Sequence, residues 1–308
     1  DEEGAGAGAS RLISGSMRAH RDAEAALAAY VGQPAAVLFS TGYNCNVGVV
    51  QGLVTRADIV FSDALNHASL IDGARLSRAR VVVYEHGNPD HLESLLRTHR
   101  AEAHNALVVT ESLFSMDGDV PDLGRIASLA REYDAGLLVD EAHALGVLGP
   151  EGKGVCADLG ITPDVVIGTL GKSFGCQGAF AAAQPETVDL IRNRARSYIF
   201  STAPSPALAR AAAASVRLVQ DADGLRERLR QNWRRLRSGL SELGYRVLPG
   251  DGPIIPVMVG DPGPTMALSE ALLARGVFVH GIRPPTVPAG TGRLRVVPMA
   301  THTNDDIE

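Results

Sequence analysis

Cysteine is scarce in this chain, and its scarcity excludes two kinds of site. The 308 residues include three cysteines, Cys45, Cys156 and Cys176, and none of them stands in a Cys-x-x-Cys pair. An odd number of cysteines at this spacing is typical of neither a disulfide framework nor a zinc ribbon. We therefore expect no metal centre, and a reducing location such as the cytoplasm.

A basic excess and a long apolar run are also absent. Twenty-nine basic residues stand against 35 acidic ones, a formal net charge of −6, which predicts no general surface for nucleic acid or anionic lipid. No apolar stretch approaches the roughly 20 residues that a membrane span requires. The acidic start, Asp1-Glu2-Glu3, is unlike a signal peptide, and the absence of an initial methionine predicts a longer native chain, truncated here at both ends.

Short apolar runs alternate with polar stretches of helix length between about residues 34 and 183, which is the pattern of an α/β fold. Several runs are apolar throughout, as expected for a mostly parallel sheet with helices on both faces. The helices Leu92–Arg100 and Asp122–Tyr133 are predicted between strands, the second with an Asp N-cap. The predicted strands are Ala35–Ser40, Asp58–Ser62, Arg80–Tyr84, Ala106–Thr110, Gly136–Val139, Val165–Thr169 and Ala179–Ala183.

The pattern changes after Pro204, and the length exceeds what one hydrophobic core usually organises. We expect a large domain over residues 1–219 and a small C-terminal α+β domain over residues 220–308. The elements predicted after Pro204 are an alanine-rich helix to Gln220, helices Leu225–Leu243 and Met266–Arg275, and strands Ile254–Val259, Val277–His280 and Leu294–Val297.

Polar residues follow four of the predicted strands, at the edge where open parallel sheets bind their ligands. The four segments are Ser62–Ser69, Val109–Gly118, Gly136–His143 and Asp164–Ser173. The last segment contains Lys172, and the interpretation of this lysine decides the function.

Lys172 admits three interpretations. A P-loop would need a glycine at the position of Val166, so the phosphate-cradling loop is absent. A nucleophile elbow fits the spacing Gly-x-Ser-x-Gly around Ser173, with His280 or His302 as a base, but it requires a helix directly after the serine. A Schiff-base lysine needs an aldehyde cofactor, a carboxylate that keeps the cofactor's ring nitrogen protonated, and an anion cradle for a phosphate.

The third interpretation finds its parts elsewhere in the chain. Asp140, at the end of an apolar strand, can supply the carboxylate. The segment Ser40–Asn44 lies between a strand and a helix, where backbone N–H groups point at an anion and Gly42 allows a close approach. Each feature alone has a commoner structural explanation, such as a helix cap or an ordinary turn. Their order along the chain favours a cofactor site.

Three longer stretches point to a known family. Asp140–Gly146, Gly168–Gly175 and Thr110–Asp119 together resemble the α-oxoamine synthases, which are pyridoxal 5′-phosphate (PLP) enzymes of fold type I, over essentially the whole chain. A fourth stretch, Gly281–Arg295, looks most like the branch that joins L-alanine to a pimeloyl thioester in biotin biosynthesis. The resemblance implies a large PLP-binding domain with a mostly parallel central sheet and a smaller C-terminal α+β domain.

The resemblance also implies catalytic roles for four residues. Lys172 would bond to the aldehyde of the cofactor and later move the α-proton of the substrate. Asp140 would pair with the pyridine nitrogen, and His67 would stack on the ring. His143, together with Ser115, would contact the phenolic oxygen of the cofactor and the nearby substrate.

Further residues match binding positions of the family. Gly42 and Tyr43 correspond to the backbone cradle of the phosphate, which Thr169 joins from its strand end. Thr202 matches a phosphate contact that the partner subunit supplies, which implies an obligate homodimer with shared active sites. Arg295 falls where the family binds the carboxylate of the amino acid, a task suited to a bidentate guanidinium.

The activity implied by the resemblance is a decarboxylating condensation of an amino acid, with L-alanine favoured, and an acyl-CoA thioester, with pimeloyl favoured. Glycine C-acetyltransferase and serine palmitoyltransferase are the alternatives within the family. A serine hydrolase built on Ser173 is the alternative from another class. A non-catalytic binding module is a further alternative, against which the intact set of Lys172, Asp140 and His67 weighs.

Overall fold

A computed structural model describes residues 4–308. The chain divides into two compact units, one comprising the described residues up to Leu113 with Pro121–Asp221, the other comprising Phe114–Val120 with Ala222–Glu308. The division into domains 1–219 and 220–308 stays a prediction. Across residues 4–308, no helix is long and apolar enough to cross a membrane.

A seven-stranded sheet forms the centre of the first unit. Its spatial order is β1-β7-β6-β5-β4-β2-β3, and β7 alone runs against the other six strands. The strands are β1 Ala35–Phe39, β2 Ile59–Asp63, β3 Arg80–Tyr84, β4 Ala106–Glu111, β5 Gly136–Asp140, β6 Val165–Thr169 and β7 Ala179–Ala183. All seven predicted strands are confirmed to within a residue at each end, and the mostly parallel sheet is confirmed with them.

Helices cover both faces of this sheet. Successive residues of β1 pack into different clusters, Val37 and Phe39 into one and Ala36 and Leu38 into the other, as the alternation of a strand requires. The helices of the first unit are α1 Arg18–Tyr30, α2 Gly42–Leu53, α3 Ala68–Ser77, α4 Pro89–His99, α5 Leu123–Glu132, α6 Gly154–Asp158, α7 Pro185–Arg194, α8 Arg196–Ile199 and α9 Pro206–Gln220, with short π or 3-10 turns at Arg11–Gly15, Arg100–Glu102 and Pro150–Gly152.

Local capping explains where several helices begin. The Oδ1 atom of Asp122 accepts a hydrogen bond from Arg125 N at 3.0 Å, so the predicted Asp N-cap of α5 is confirmed. The hydroxyl of Thr41 caps α2 in the same way, accepting from Asn44 N at 3.1 Å. Because α2 follows β1 after a turn of two residues, this cap fixes the start of α2 at the carboxyl edge of the sheet.

The second unit is smaller and contains a three-stranded antiparallel sheet in the order β8-β10-β9. Its elements are α10 Asp223–Glu242, β8 Ile255–Gly260, α11 Pro262–Leu273, β9 His280–Ile282, β10 Gly292–Val296 and α12 Asn304–Ile307. The strand predicted over Val277–His280 is wrong, because Val277 and Phe278 lie outside the sheet and are 49% and 79% exposed. The core of this unit includes Trp233, whose Nε1 donates to Asp251 Oδ1 at 2.9 Å.

The segment Phe114–Val120 belongs to the second unit although it begins only three residues after the end of β4. Gly118 has a φ of +68°, and an added Cβ would lie against the carbonyl oxygen of Ile254. A side chain at position 118 would therefore be excluded twice, by backbone conformation and by lack of space. This glycine allows the segment to lie directly against the start of β8.

Candidate active site

Three neighbouring parallel strands end around one cavity of the first unit. Glu111, Asp140 and Thr169 are the last residues of β4, β5 and β6, and all three line a pocket of about 220 Å³. Of the ten residues to which the sequence resemblance assigns a role, the pocket brings seven together: Gly42, Tyr43, His67, Asp140, His143, Thr169 and Lys172. Their roles stay predictions, but their meeting at the carboxyl edge of the sheet is the geometry that such roles require.

Lys172 lies in the turn that joins β6 to the antiparallel β7. Its Nζ atom is 2.9 Å from Nε2 of His143, which stands three residues after the end of β5. The turn is tight, since Leu170 N donates to Gly178 O at 2.9 Å and Cys176 N to Leu170 O at 2.8 Å. The amine is therefore placed at the pocket by a closed hairpin and meets an imidazole there.

Asp140 is a buried carboxyl whose two oxygens both accept hydrogen bonds. It is 5% exposed, and its Oδ1 accepts from Ala142 N at 2.9 Å. Its Oδ2 accepts from the side-chain amide of Asn46 at 2.7 Å. These two donors hold the carboxyl group of Asp140 in one orientation at the pocket.

Glu111 is a second buried carboxyl beside Asp140 that the sequence argument did not select. The two residues are register partners in adjacent strands, and Glu111 is 3% exposed. Burial, and then the negative charge of Asp140, raise the pKa of Glu111 to about 8. Its Oε1 accepts a hydrogen bond from the backbone N–H of His67 at 2.6 Å, so this carboxyl fixes the start of α3. The sequence contained one indication of Glu111, namely its position as an acidic residue at the end of an apolar strand.

The N-terminus of α2 lies at the pocket, at the place where the sequence predicts a cradle for an anion. The hydroxyl oxygen of Thr41 accepts a hydrogen bond from the N–H of Asn44. The N–H groups of Gly42 and Tyr43, in the first turn, point along the helix axis. A Cβ at Gly42 would meet Thr169 Oγ1 at 3.7 Å, an ordinary contact. The fold itself would thus accept a side chain here. The space it would occupy lies between the helix end and the Thr169 hydroxyl.

Ser115 and Arg295 are brought together in the second unit, where Arg295 Nε donates to the backbone carbonyl of Ser115 at 2.6 Å. Burial lowers the pKa of the Arg295 guanidinium. Arg295 is half-buried, whereas the neighbouring Arg293 is buried and forms an ion pair with Asp117. Two arginines of β10 therefore hold the segment that contains Ser115.

Thr202 is not among the residues that line the pocket. It forms an isolated antiparallel bridge with Ser10, and the next residue, Ala203, donates from its N–H to Ala9 O at 3.0 Å. Phe200 nearby is 70% exposed and lies under the guanidinium of Arg196, 4.7 Å from the ring centre. The assignment of Thr202 to a partner's site stays a prediction.

The whole chain, residues 1–308, matches the family model described as Aminotransferase class I and II. The chain belongs to this family. The 8-amino-7-oxononanoate synthase of Geobacter sulfurreducens is 47% identical over 309 residues, which are 99% of this chain and 79% of that protein.

Solved structures agree with this assignment to the aminotransferase class I and II family. A Sphingomonas wittichii serine palmitoyltransferase is similar with a TM-score of 0.95 and 35% identity, covering 100% of this chain and 78% of that one. A serine palmitoyltransferase variant from S. paucimobilis with a bound PLP–myriocin aldimine has a TM-score of 0.95 and 35% identity, covering 99% of this chain and 77% of that one. The predicted fold type I is thereby confirmed.

The nucleophile elbow is not the arrangement found in this member of the family. No helix follows Ser173; within the described residues the chain turns and enters β7. The Ser173 hydroxyl donates to the backbone carbonyl of Leu145 at 2.5 Å. The serine is thus used to hold the loop after β5, and the hydrolase interpretation loses the local structure it needs.

Asn46 and Ser69 are two further pocket residues that sequence reasoning missed. Both lie inside helices, Asn46 in α2 and Ser69 in α3, where a polar residue gives no sign of its partners. Asn46 Nδ2 donates to Ser69 Oγ at 2.9 Å as well as to Asp140. Only the packing of α2 against α3 reveals them.

Proposed function

We propose that this chain is a PLP-dependent acyltransferase that condenses L-alanine with pimeloyl-CoA to 8-amino-7-oxononanoate, releasing carbon dioxide and the free thiol. The observation that carries the proposal is the meeting of Lys172, Asp140 and His67 in one pocket at the carboxyl ends of β4, β5 and β6. Support comes from the 47% identity to a relative that bears the name of this activity.

The pocket has the donors and acceptors that PLP requires. Lys172 offers an amine for the aldehyde, Asp140 a carboxylate for the ring nitrogen, and the start of α2 with Thr169 a cradle for the phosphate. Asn46 lines the pocket, and its Oδ1 is buried without a hydrogen-bond partner among the described residues. Since buried polar atoms are normally paired, this acceptor indicates that the chain alone does not complete the pocket.

When bound, PLP supplies an electron sink for the negative charge left when the α-proton of the amino acid is removed. In this proposal Lys172 moves that proton, which is supported by the position of the residue at the pocket and by the 2.9 Å between its Nζ and His143 Nε2. The Asp140 carboxylate, oriented by Ala142 N and Asn46 Nδ2, holds a positive charge on the ring nitrogen favourably. The protein contributes by orienting Lys172, His143 and Asp140.

Serine and glycine are the competing amino acids. Serine palmitoyltransferases match this chain at 35% identity, lower than the 47% of the synthase relative, so we favour L-alanine. Thiol release from pimeloyl-, acetyl- and palmitoyl-CoA, crossed with L-alanine, glycine and L-serine on the native protein, decides among them. A best pair other than L-alanine with pimeloyl-CoA would keep the reaction type and reject the proposed substrates.

The chain makes the cofactor bond unusually easy to test, because it contains two lysines, Lys153 and Lys172. Lys153 is paired with Glu151 at 2.8 Å, and neither residue lines the pocket. Borohydride reduction of the PLP-loaded protein should leave one pyridoxyl group on Lys172. Lys172→Ala should lose the adduct and turnover, whereas Lys153→Ala should retain both. An adduct confined to Lys153, or turnover that survives Lys172→Ala, would reject the assignment.

We further propose a homodimer in which Thr202 contacts the phosphate bound by the partner subunit. The exposed Phe200 and the bridge between Ser10 and Thr202 support an interface at this surface.

We also propose a cytoplasmic location, supported by the three free cysteines, two of which are buried.

A further inference from the structure

Asn46, Ser69 and His67 form a chain of hydrogen bonds that starts at Asp140. Asn46 Nδ2 donates to Asp140 Oδ2 at 2.7 Å and to Ser69 Oγ at 2.9 Å. Ser69 Oγ is 2.6 Å from Nδ1 of His67. Asn46 is 3% and Ser69 0% exposed, so the two bonds that Asn46 donates are shielded from water, whereas the ring of His67 lies in an exposed residue. Three elements, β5, α2 and α3, are joined through these four side chains.

The order of donors along this chain has one consistent solution. Both oxygens of Asp140 act as acceptors, so Asn46 turns its amide nitrogen toward the carboxyl, and its two N–H groups serve Asp140 and Ser69. Ser69 Oγ then receives a hydrogen from Asn46 and donates its own hydrogen to Nδ1 of His67. The backbone N–H of Ser69 points to the same nitrogen at 3.3 Å. Nδ1 is therefore an acceptor.

The opposite tautomer would leave a buried hydrogen without an acceptor. If Nδ1 carried the proton, Ser69 Oγ would accept from both His67 and Asn46, and its own hydrogen would need a third group. Within residues 4–308, Asn46 and His67 are the side chains within hydrogen-bond distance of that oxygen. Because Ser69 is fully buried, this alternative is disfavoured.

We propose that Asn46 and Ser69 are positioning residues that fix neutral His67 as the Nε2–H tautomer. The ring would keep Nδ1 tied to the protein and retain Nε2–H as its donor in the pocket. The link continues to Asp140, so the residue predicted to stack on the cofactor and the one predicted to pair with its nitrogen share one hydrogen-bond chain. Its value for catalysis rests on the proposed function, but the tautomer itself is a property of the chain.

His20 provides an internal reference for the same tautomer. Its Nδ1 accepts from Met17 N at 3.1 Å, and its Nε2 lies 2.7 Å from the carbonyl oxygen of Pro204, which can only accept. His20 must therefore carry its proton on Nε2 as well. It lies outside the pocket and is fully buried, so pocket variants should leave its signals unchanged.

The test is a two-bond proton–nitrogen NMR spectrum of the full chain labelled with ¹⁵N-histidine, recorded with PLP and after its removal. The chain has nine histidines, and the His67 signals are identified by their loss in His67→Gln. We expect His67 to show the pattern of His20, with a protonated Nε2 and an unprotonated Nδ1. A protonated Nδ1 in the wild-type chain would overturn the proposal without any variant.

Variants test the cause. Ser69→Ala removes the hydroxyl donor at 2.6 Å but keeps the backbone N–H at 3.3 Å from Nδ1, so it should raise the share of the Nδ1–H tautomer without making it the sole form. Asn46→Ala should shift the pattern in the same direction, while Ser69→Thr, which keeps the hydroxyl, should retain it. Ser77→Ala is the matched control, since Ser77 is also buried on α3 but donates to Ala74 O. An unchanged His67 pattern in Ser69→Ala, with His20 intact, would refute the role of Ser69. The two proposals have separate readouts. If the proposed function is wrong, the wild-type protein will release no thiol, but the His67 tautomer will still be the one described here.

Discussion

Glu111→Gln should remove a pH dependence of stability that the wild-type chain possesses. Burial and Asp140 raise the pKa of the Glu111 carboxyl to about 8, whereas the unfolded chain loses this proton near the ordinary value of 4.5. Between these values the folded protein binds one proton more than the unfolded chain, so its free energy of unfolding falls as pH rises. One such group changes the free energy of unfolding by at most about 1.4 kcal/mol per pH unit, or about 2–3 kcal/mol from about pH 5.5 to about pH 7.5.

Glutamine keeps an oxygen for the N–H of His67 but does not titrate. The free energy of unfolding of the PLP-free protein, measured with urea across this pH range, should therefore fall more steeply with rising pH for the wild type than for Glu111→Gln. Glu132→Gln, an exposed position on α5, is the control and should follow the wild type. Parallel curves for wild type and Glu111→Gln would refute the reasoning, because Glu111 would then titrate alike in both states.

Gly168→Ala should destabilise the protein by about 1–3 kcal/mol, because an added Cβ would lie 2.5 Å from side-chain carbons of Leu145 and Phe180. Thermal unfolding measures this loss, and an unchanged Tm would contradict it. Arg295→Lys should raise KM for the amino acid while PLP binding, followed by absorbance, stays normal, since lysine cannot form the paired bonds of a guanidinium. Coexpressed Lys172→Ala and Thr202→Val chains should regain turnover in mixed dimers; no gain would place Thr202 outside the partner's site.

Most strands of the first unit were predictable because they are buried on both sides; the edge strand β3 is largely exposed. A buried parallel strand is a continuous apolar run, and β6 and β7 are bounded by residues that break such runs. The end of each run also located Asp140 and Lys172 on the correct edge. The direction of β7 was not predictable, because an apolar run does not indicate whether its strand lies parallel or antiparallel to its neighbours.

Other parts depended on contacts between distant residues. Asn46 and Ser69 are single polar residues in helices, and only the packing of α2 on α3 brings them to Asp140. The error at Val277–His280 has a related cause. The apolar run Val277–Val279 predicted a strand there, yet Val277 and Phe278 are exposed in this chain, and the pairing with β10 begins at His280.

The membership of Phe114–Val120 in the second unit has a consequence for cutting the chain. A fragment that starts at Ala222 would contain all of α10, β8, β9 and β10 but would lack this seven-residue strip. Arg293 would lose Asp117, and Arg295 would lose the carbonyl of Ser115. The guanidinium of Arg293, which is buried in the whole chain, would then face solvent, and Ile254 would lose part of its cover. The C-terminal piece is therefore not an autonomous module, and shuffling it between relatives requires transplanting residues 114–120 as a second insert.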